Sequence, residues 1–244
     1  MTHGIALTPR DRRLIQAAWS LGYAPATTLQ AIVSPHVAKG TLRDRLRRLH
    51  QNHYLVQHRF VGPVGGLWLY GIGPAALTPD QKDHWRPSLA QISHTLAVGE
   101  AVVDLQRAGF AAPLQITGWK GEAELRAWAE PGAPYPDAEI TWRHANVDGR
   151  WHVEVDRATE SRAVWRRKLV RYLTFGSEGP VLVLTTSGAR ARNLALVAAE
   201  LGVWVLATTS DVVKVQLDPW VLDSRARQRR PLSATAGADT PSPG

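Results

Sequence analysis

An α+β chain in two parts, a small helical module closed by a hairpin and then a larger domain of alternating strands and helices, is predicted by three observations. Residues 1–76 hold three stretches of helical periodicity followed by two β-rich runs around a glycine bend. Residues 135–209 alternate strand-like and helix-like segments, the order that builds a partly parallel sheet covered on both sides. The third observation is the placement of charge. Nine Lys/Arg face only Asp11 and Asp44 in residues 1–76, whereas 16 basic and 18 acidic side chains nearly balance in 77–223. The last 21 residues add four Arg against Asp239. A field gathered at one end points to phosphate backbones or another anionic surface.

The front part begins at Thr8-Pro9-Arg10-Asp11, where Thr8 can cap a helix, Pro9 suits its first turn and Asp11 completes a box-like end. Leu14, Ile15, Ala18 and Leu21 then mark one apolar face. Residues 26–33 fit a short second helix broken by Ser34-Pro35. A third runs over 39–51, with Leu42, Leu46 and Leu49 on the core side. Lys39, Thr41, Arg43, Arg45, Arg47 and Arg48 occupy its remaining faces and flanks. The runs 53–61 and 67–70 around a Gly-Pro and Gly-Gly bend read as a hairpin carrying Arg59. Three helices and a hairpin is the winged helix-turn-helix order, in which the third helix enters the major groove and the hairpin touches phosphates. The seven side chains Lys39, Thr41, Arg43, Arg45, Arg47, Arg48 and Arg59 are therefore the expected duplex DNA contacts.

Behind a Pro-rich connector over 77–90, residues 92–108 return to helical spacing and residues 114–125 read as a strand. The densest chemistry lies in 135–172. Trp151, Val153 and Val155 alternate with His152, Glu154 and Asp156, so the two acids share one strand face. The turn at 146–149 folds the preceding strand back, which brings Asp137 towards them. Three carboxylates forced together need a cation, a shared proton or a basic partner, and hard oxygen ligands suit Mg²⁺ or Mn²⁺. Lys168, on the following helix, can lean over the same spot, giving the acids, metal and lysine of metal-assisted phosphodiester hydrolysis. The competing reading makes Glu154, Asp156 and Glu160 solvent-facing charges on an edge strand and helix start. Burial decides between them.

Pro136-Asp137 followed by Glu154-Val155-Asp156 and a helix carrying Lys168 and Tyr172 resembles the PD-(D/E)XK nuclease-like core. With the basic winged-helix segment in front, the pattern over residues 7–209 is similar to the plasmid replication-relaxation family of bacterial DNA-binding proteins. The resemblance implies a winged helix-turn-helix domain at 1–76, a linker at 77–90, a restriction-endonuclease-like α/β domain at 91–223 and a disordered basic tail at 224–244. Asp137, Glu154, Asp156 and Lys168 would be its catalytic positions. The metal ligands would be Asp137, Glu154 and Asp156, with Glu100 on the first helix of that domain joining them by analogy. One departure stands out: the nuclease motif has Lys two residues after its strand acid, and this chain has Asp156 there. Two functions follow, a DNA-binding protein of plasmid or mobile-element replication, relaxation or its regulation that has lost or altered cutting, and an active Mg²⁺-dependent endonuclease or nickase.

Duplex DNA, plasmid replication or relaxation proteins and a second copy of the chain are the partners this reading allows. A membrane is not among them, because no apolar run is long enough to span a bilayer. The absence of cysteine excludes disulfides, thiolate zinc sites and cysteine nucleophiles, and with no signal-like N-terminus it leads to the expectation of a cytoplasmic protein. The ten Trp are scattered through apolar patterns and read as core rather than as base-stacking platforms.

Overall fold

The computed structural model describes residues 5–62, 65–77, 88–109, 114–176, 178–215 and 220–235. They belong to two compact units, one made of 1–103 with 121–127, the other of 104–120 with 128–244.

In the first unit the Thr8 hydroxyl accepts from the Asp11 backbone N–H, and the Asp11 carboxylate accepts from that of Thr8. This reciprocal cap starts α1 (Pro9–Leu21). There follow β1 (Ala24–Pro25), α2 (Ala26–Val33), α3 (Lys39–Gln51), β2 (Leu55–Gly62) and β3 (Gly65–Ile72). The three strands form an antiparallel sheet in the order β1-β3-β2. Leu14, Ala18 and Leu21 of α1, Leu29 of α2 and Leu42, Leu46 and Leu49 of α3 are all buried, as their helical spacing requires. The helices and hairpin fall where the periodicity puts them. Strand β1, two residues long, is too short to carry any period.

Residues 78–87 of the expected linker lie outside the described residues. Beyond them comes α4 (Ile92–Gly109), whose residues Ile92 and Leu96 pack with Tyr23, Leu69, Val56 and Phe60 inside the first unit. The strand expected over 114–125 is corrected: β4 (Leu114–Gly121) gives way to α5 (Glu122–Trp128). A Cβ on Gly121 would lie 2.3 Å from the Ser20 carbonyl oxygen, so only glycine allows this approach. The Gly121 N–H donates to Ser20 Oγ at 2.8 Å and that hydroxyl donates to Glu124 Oε2 at 2.5 Å, while Glu122 to Leu125 are all strong helix formers.

The second unit is built on a seven-stranded mixed sheet in the order β10-β9-β8-β7-β6-β5-β4. Its strands after β4 are β5 (Ala138–His144), β6 (Val147–Asp156), β7 (Val181–Thr185), β8 (Val205–Thr209), β9 (Trp220–Asp223) and β10 (Gln228–Pro231). β5 and β6 form an antiparallel hairpin, β6, β7 and β8 run parallel, and β9 and β10 turn antiparallel again. Between them lie α6 (Arg162–Thr174), α7 (Gly188–Leu201) and α8 (Ser210–Val215). Trp165, Leu169 and Tyr172 of α6 and Ala191, Leu194, Val197 and Ala198 of α7 pack with Val181, Val183, Val205 and Ala207 of β7 and β8. Helices α6 and α7 therefore cover one face of the central strands.

Two expectations change here. β6 is not an edge strand with a wet acidic face: it lies between β5 and β7, and Trp151 through Asp156 are all buried. The tail expected to be disordered from 224 instead completes a β9–β10 hairpin and ends in a single 3₁₀ turn at Ser233–Thr235; residues 236–244 lie outside the described residues. Composition misled because two of its four arginines have local partners in the folded chain. Asp223 accepts from the backbone of Arg225 and Ala226 and pairs with Arg230, while the Arg225 guanidinium lies 4.5 Å from the centre of the Trp204 ring. Among the described residues no helix is long and apolar enough to cross a membrane.

Candidate functional site

The acids of β6 point at α6 and α7 because strand register leaves no choice. Glu154 pairs with Val183 of β7 and Asp156 with Thr185, so both lie in rows under the covering helices. On α6, Trp165, Lys168 and Tyr172 succeed one another at helical spacing and face those rows together.

Glu154 is completely buried, and each of its oxygens has a partner. Oε2 is paired with the Lys168 ammonium, and Oε1 accepts from the Tyr172 hydroxyl at 2.6 Å. Burial pushes the Glu154 carboxyl up to about 8, with the Asp137 carboxylate adding to the rise against the pull of Lys168. Lys168 also loses solvent, but Glu154 and Asp137 outweigh that loss and hold it above its ordinary value. Tyr172, buried against Glu154, is raised well above the ordinary phenol. Asp137, just ahead of β5, accepts the Val155 backbone N–H at 2.7 Å. Asp137, Glu154, Lys168 and Tyr172 are thus brought into one electrostatically coupled centre.

Asp156 does not join it, which corrects the expected three-acid convergence. Its oxygens accept from Arg190 Nε at 2.7 Å and Nη2 at 3.2 Å, from the Thr185 hydroxyl at 3.1 Å and from Trp165 Nε1 at 3.3 Å. Burial alone would raise this carboxyl, yet the Arg190 fork holds it below the ordinary value. Arg190 Nη2 also donates to the Glu160 carbonyl at 2.6 Å, so one guanidinium ties the end of β6, the loop after it and α7. The pair is a structural tie. With both oxygens of Glu154 and of Asp156 engaged, the three acids do not form one open ligand set for Mg²⁺ or Mn²⁺. Glu100 belongs to the first unit, on α4, and is exposed.

Sequence reasoning missed Arg190 and the second role of Trp165. The available signal was chemical: a buried aspartate needs a cation, and an arginine at the start of the helix after a buried parallel strand is well placed to supply it. It also missed His152, whose Nε2 lies 2.8 Å from the Glu178 carbonyl oxygen and whose ring packs 5.7 Å from that of Tyr172.

Because Glu154 holds its proton to a higher pH when folded than its ordinary value of 4.5, this side chain binds more protons in the folded unit than in the unfolded chain between about 4.5 and about 8. Its contribution to stability therefore falls as pH rises through that window and is level above it. A pH series of melting temperatures on wild type and Glu154→Gln is expected to show this decline in the wild type and its loss in the variant. Identical slopes would contradict the assignment.

On the first unit, Lys39, Thr41, Arg43, Arg47, Arg48 and Arg59 are exposed. Arg47 lies 3.0 Å from Asp44, a pair too exposed to hold it firmly. Arg45 is corrected from a DNA contact to a structural residue: its guanidinium forks onto the buried Asp11 carboxylate and fixes α3 against the cap of α1. The sequence places Arg45 on a flank of the helix, and the buried acid draws it inward.

Restriction endonuclease FokI is similar in structure to this chain with a TM-score of 0.29 and 9% identity, over 82% of this chain and 42% of that one. The chain thus spans about two fifths of FokI's length, and a likeness at that score carries no argument. No curated protein matches the sequence. A protein-family model described as replication-relaxation matches residues 22–182, well over half of the chain, from the end of α1 through the buried β6 acids and into β7. On that match the chain belongs to the replication-relaxation family.

Proposed function

We propose that the chain is a cytoplasmic DNA-binding protein of plasmid or mobile-element replication, relaxation or its regulation. The first unit grips duplex DNA, and the nuclease-like second unit has lost cutting. The observation that carries the binding reading is α3. Its core side is Leu42, Leu46 and Leu49, Arg45 is turned onto Asp11, and Lys39, Thr41, Arg43, Arg47 and Arg48 stand exposed around the rest. The order helix, strand, two helices and hairpin matches that of a winged helix-turn-helix, which presents its third helix to the major groove. Arg10, Thr41, Asp44 and Arg48 also line a cleft beside the start of α1 and along α3, in which Asp11 is paired with Arg45 and two exposed arginines outnumber the one exposed carboxylate, a balance that favours a backbone phosphate. Loss of cutting is supported by Glu154, whose two oxygens are held by Lys168 and Tyr172, and by Asp156, which is neutralised by Arg190.

A second reading, an active Mg²⁺- or Mn²⁺-dependent endonuclease or nickase, is favoured by one observation. Lys168 reaches Glu154 beside Asp137 although the lysine position of the nuclease motif holds Asp156. Supercoiled plasmid incubated with the protein and either metal separates the readings. Unchanged supercoils are expected, whereas nicking that vanishes in both Asp137→Ala and Glu154→Ala would replace the first reading with the second.

A further inference from the structure

The β2–β3 hairpin carries more than a phosphate contact requires. Register places Arg59 opposite Trp68 and Val61 opposite Gly66, so these four share one face of the hairpin. At its base the same face is core, with Leu55, Tyr70 and Ile72 buried and Gln57 Nε2 donating to the Tyr70 hydroxyl at 3.2 Å. Towards the tip it is bare: Trp68 is 51% exposed and Val61 73%. Gly66 lets the Arg59 side chain lie across the hairpin, since a Cβ there would sit 3.0 Å from Arg59 Nε and 3.3 Å from Nη2. The guanidinium fills the place of the missing side chain, opposite Val61. Along the partner strand the face therefore reads indole, then guanidinium, with an isopropyl group across from it.

We propose that this face is a wedge for the DNA minor groove, with Trp68 and Val61 as apolar inserts and Arg59 as the cation between them. The proposal rests on the duplex-binding reading and adds the groove and the chemistry that the hairpin reads. Phosphate oxygens reward cations and can use only the single N–H of an indole, not its apolar rings, whereas proteins that enter the minor groove press apolar side chains against base steps and place Arg in its negative potential. Charge selects this occupant over an apolar partner, because the unit that bears the hairpin holds nine Lys/Arg against two Asp in residues 1–76. An apolar wedge contributes affinity that salt does not screen, while each lost phosphate neutralisation lowers the salt slope by about one.

The test measures binding of the full chain to a labelled duplex at several salt concentrations. Trp68→Ala is expected to weaken binding about tenfold at every salt with the slope unchanged, and Trp68→Phe to recover most of it. Arg59→Ala is expected to lower the slope. Since Trp68 is half exposed, Trp68→Ala should remain folded with a single cooperative melting transition at a modestly lower temperature, and binding is compared well below it, which separates lost contact from lost fold. Wild-type affinity in Trp68→Ala, or a change in its oligomeric state in place of its DNA affinity, overturns the wedge. If the wild type binds and Arg43 and Arg48 matter but Trp68 does not, the wedge alone falls. If the wild type binds no duplex, the wedge falls together with the reading beneath it.

Discussion

Arg190→Ala is expected to destabilise the second unit by about 3–5 kcal/mol, the usual cost of stranding one member of a buried ion pair. Asp156 has no exposed side-chain surface and takes two hydrogen bonds from the Arg190 fork, so the variant leaves a carboxylate among Trp165, Thr185 and the strand backbone without its counter-ion. Arg190→Lys keeps the charge but loses the two-pronged geometry and the bond to the Glu160 carbonyl, and should recover only part of the loss. Denaturant unfolding read on the second unit checks both. The same geometry bears on the lysine of the nuclease motif. Asp156→Lys would set a second cation against the Arg190 guanidinium in one buried place, so it should unfold the unit rather than produce a cutting site. A variant Arg190→Ala as stable as wild type would show that the tie contributes nothing.

The second large effect concerns DNA. Removing Arg43 and Arg48 together, as alanines, is expected to weaken duplex binding about a hundredfold at moderate salt and to lower the slope of log affinity against log salt by about two. Both side chains are exposed on α3 and belong to none of the unit's salt bridges among the described residues, so fold and melting temperature should be preserved. Arg45→Ala makes the contrast, because it should fail through stability, Asp11 being left buried and unpaired. An unchanged slope in the double alanine variant would exclude α3 as the docking element.

Much of the architecture was legible because the helices of the first unit obey a clear period and carry their own stop signals. Thr8 and Asp11 announce the start of α1, and Leu42, Leu46 and Leu49 fix the inner side of α3. The Glu154 centre was legible for a related reason: alternation on a strand and a three-to-four-residue step on a helix are both local rules, and together they bring Glu154, Lys168 and Tyr172 to one place. What escaped depends on distant partners. Nothing near Asp156 in sequence names Arg190, 34 residues away, and nothing near Arg45 names Asp11, also 34 residues away. In each case a buried carboxylate recruits an arginine that looks free when only its own helix is considered. The β9–β10 hairpin escaped because its arginines resemble a solvated tail until Asp223 and Trp204 are set beside them.

That hairpin bears on how the protein can be handled. A chain trimmed after Asp223, the natural cut if the arginine-rich end were loose, removes β10 from the rim of the sheet and takes Arg230 from a carboxylate with no exposed surface. Strand β9 then becomes a raw margin with unsatisfied main-chain groups, open to pairing with another copy. Trimming meant to improve behaviour in solution would invite aggregation, whereas a cut beyond Thr235 keeps β9 paired with β10.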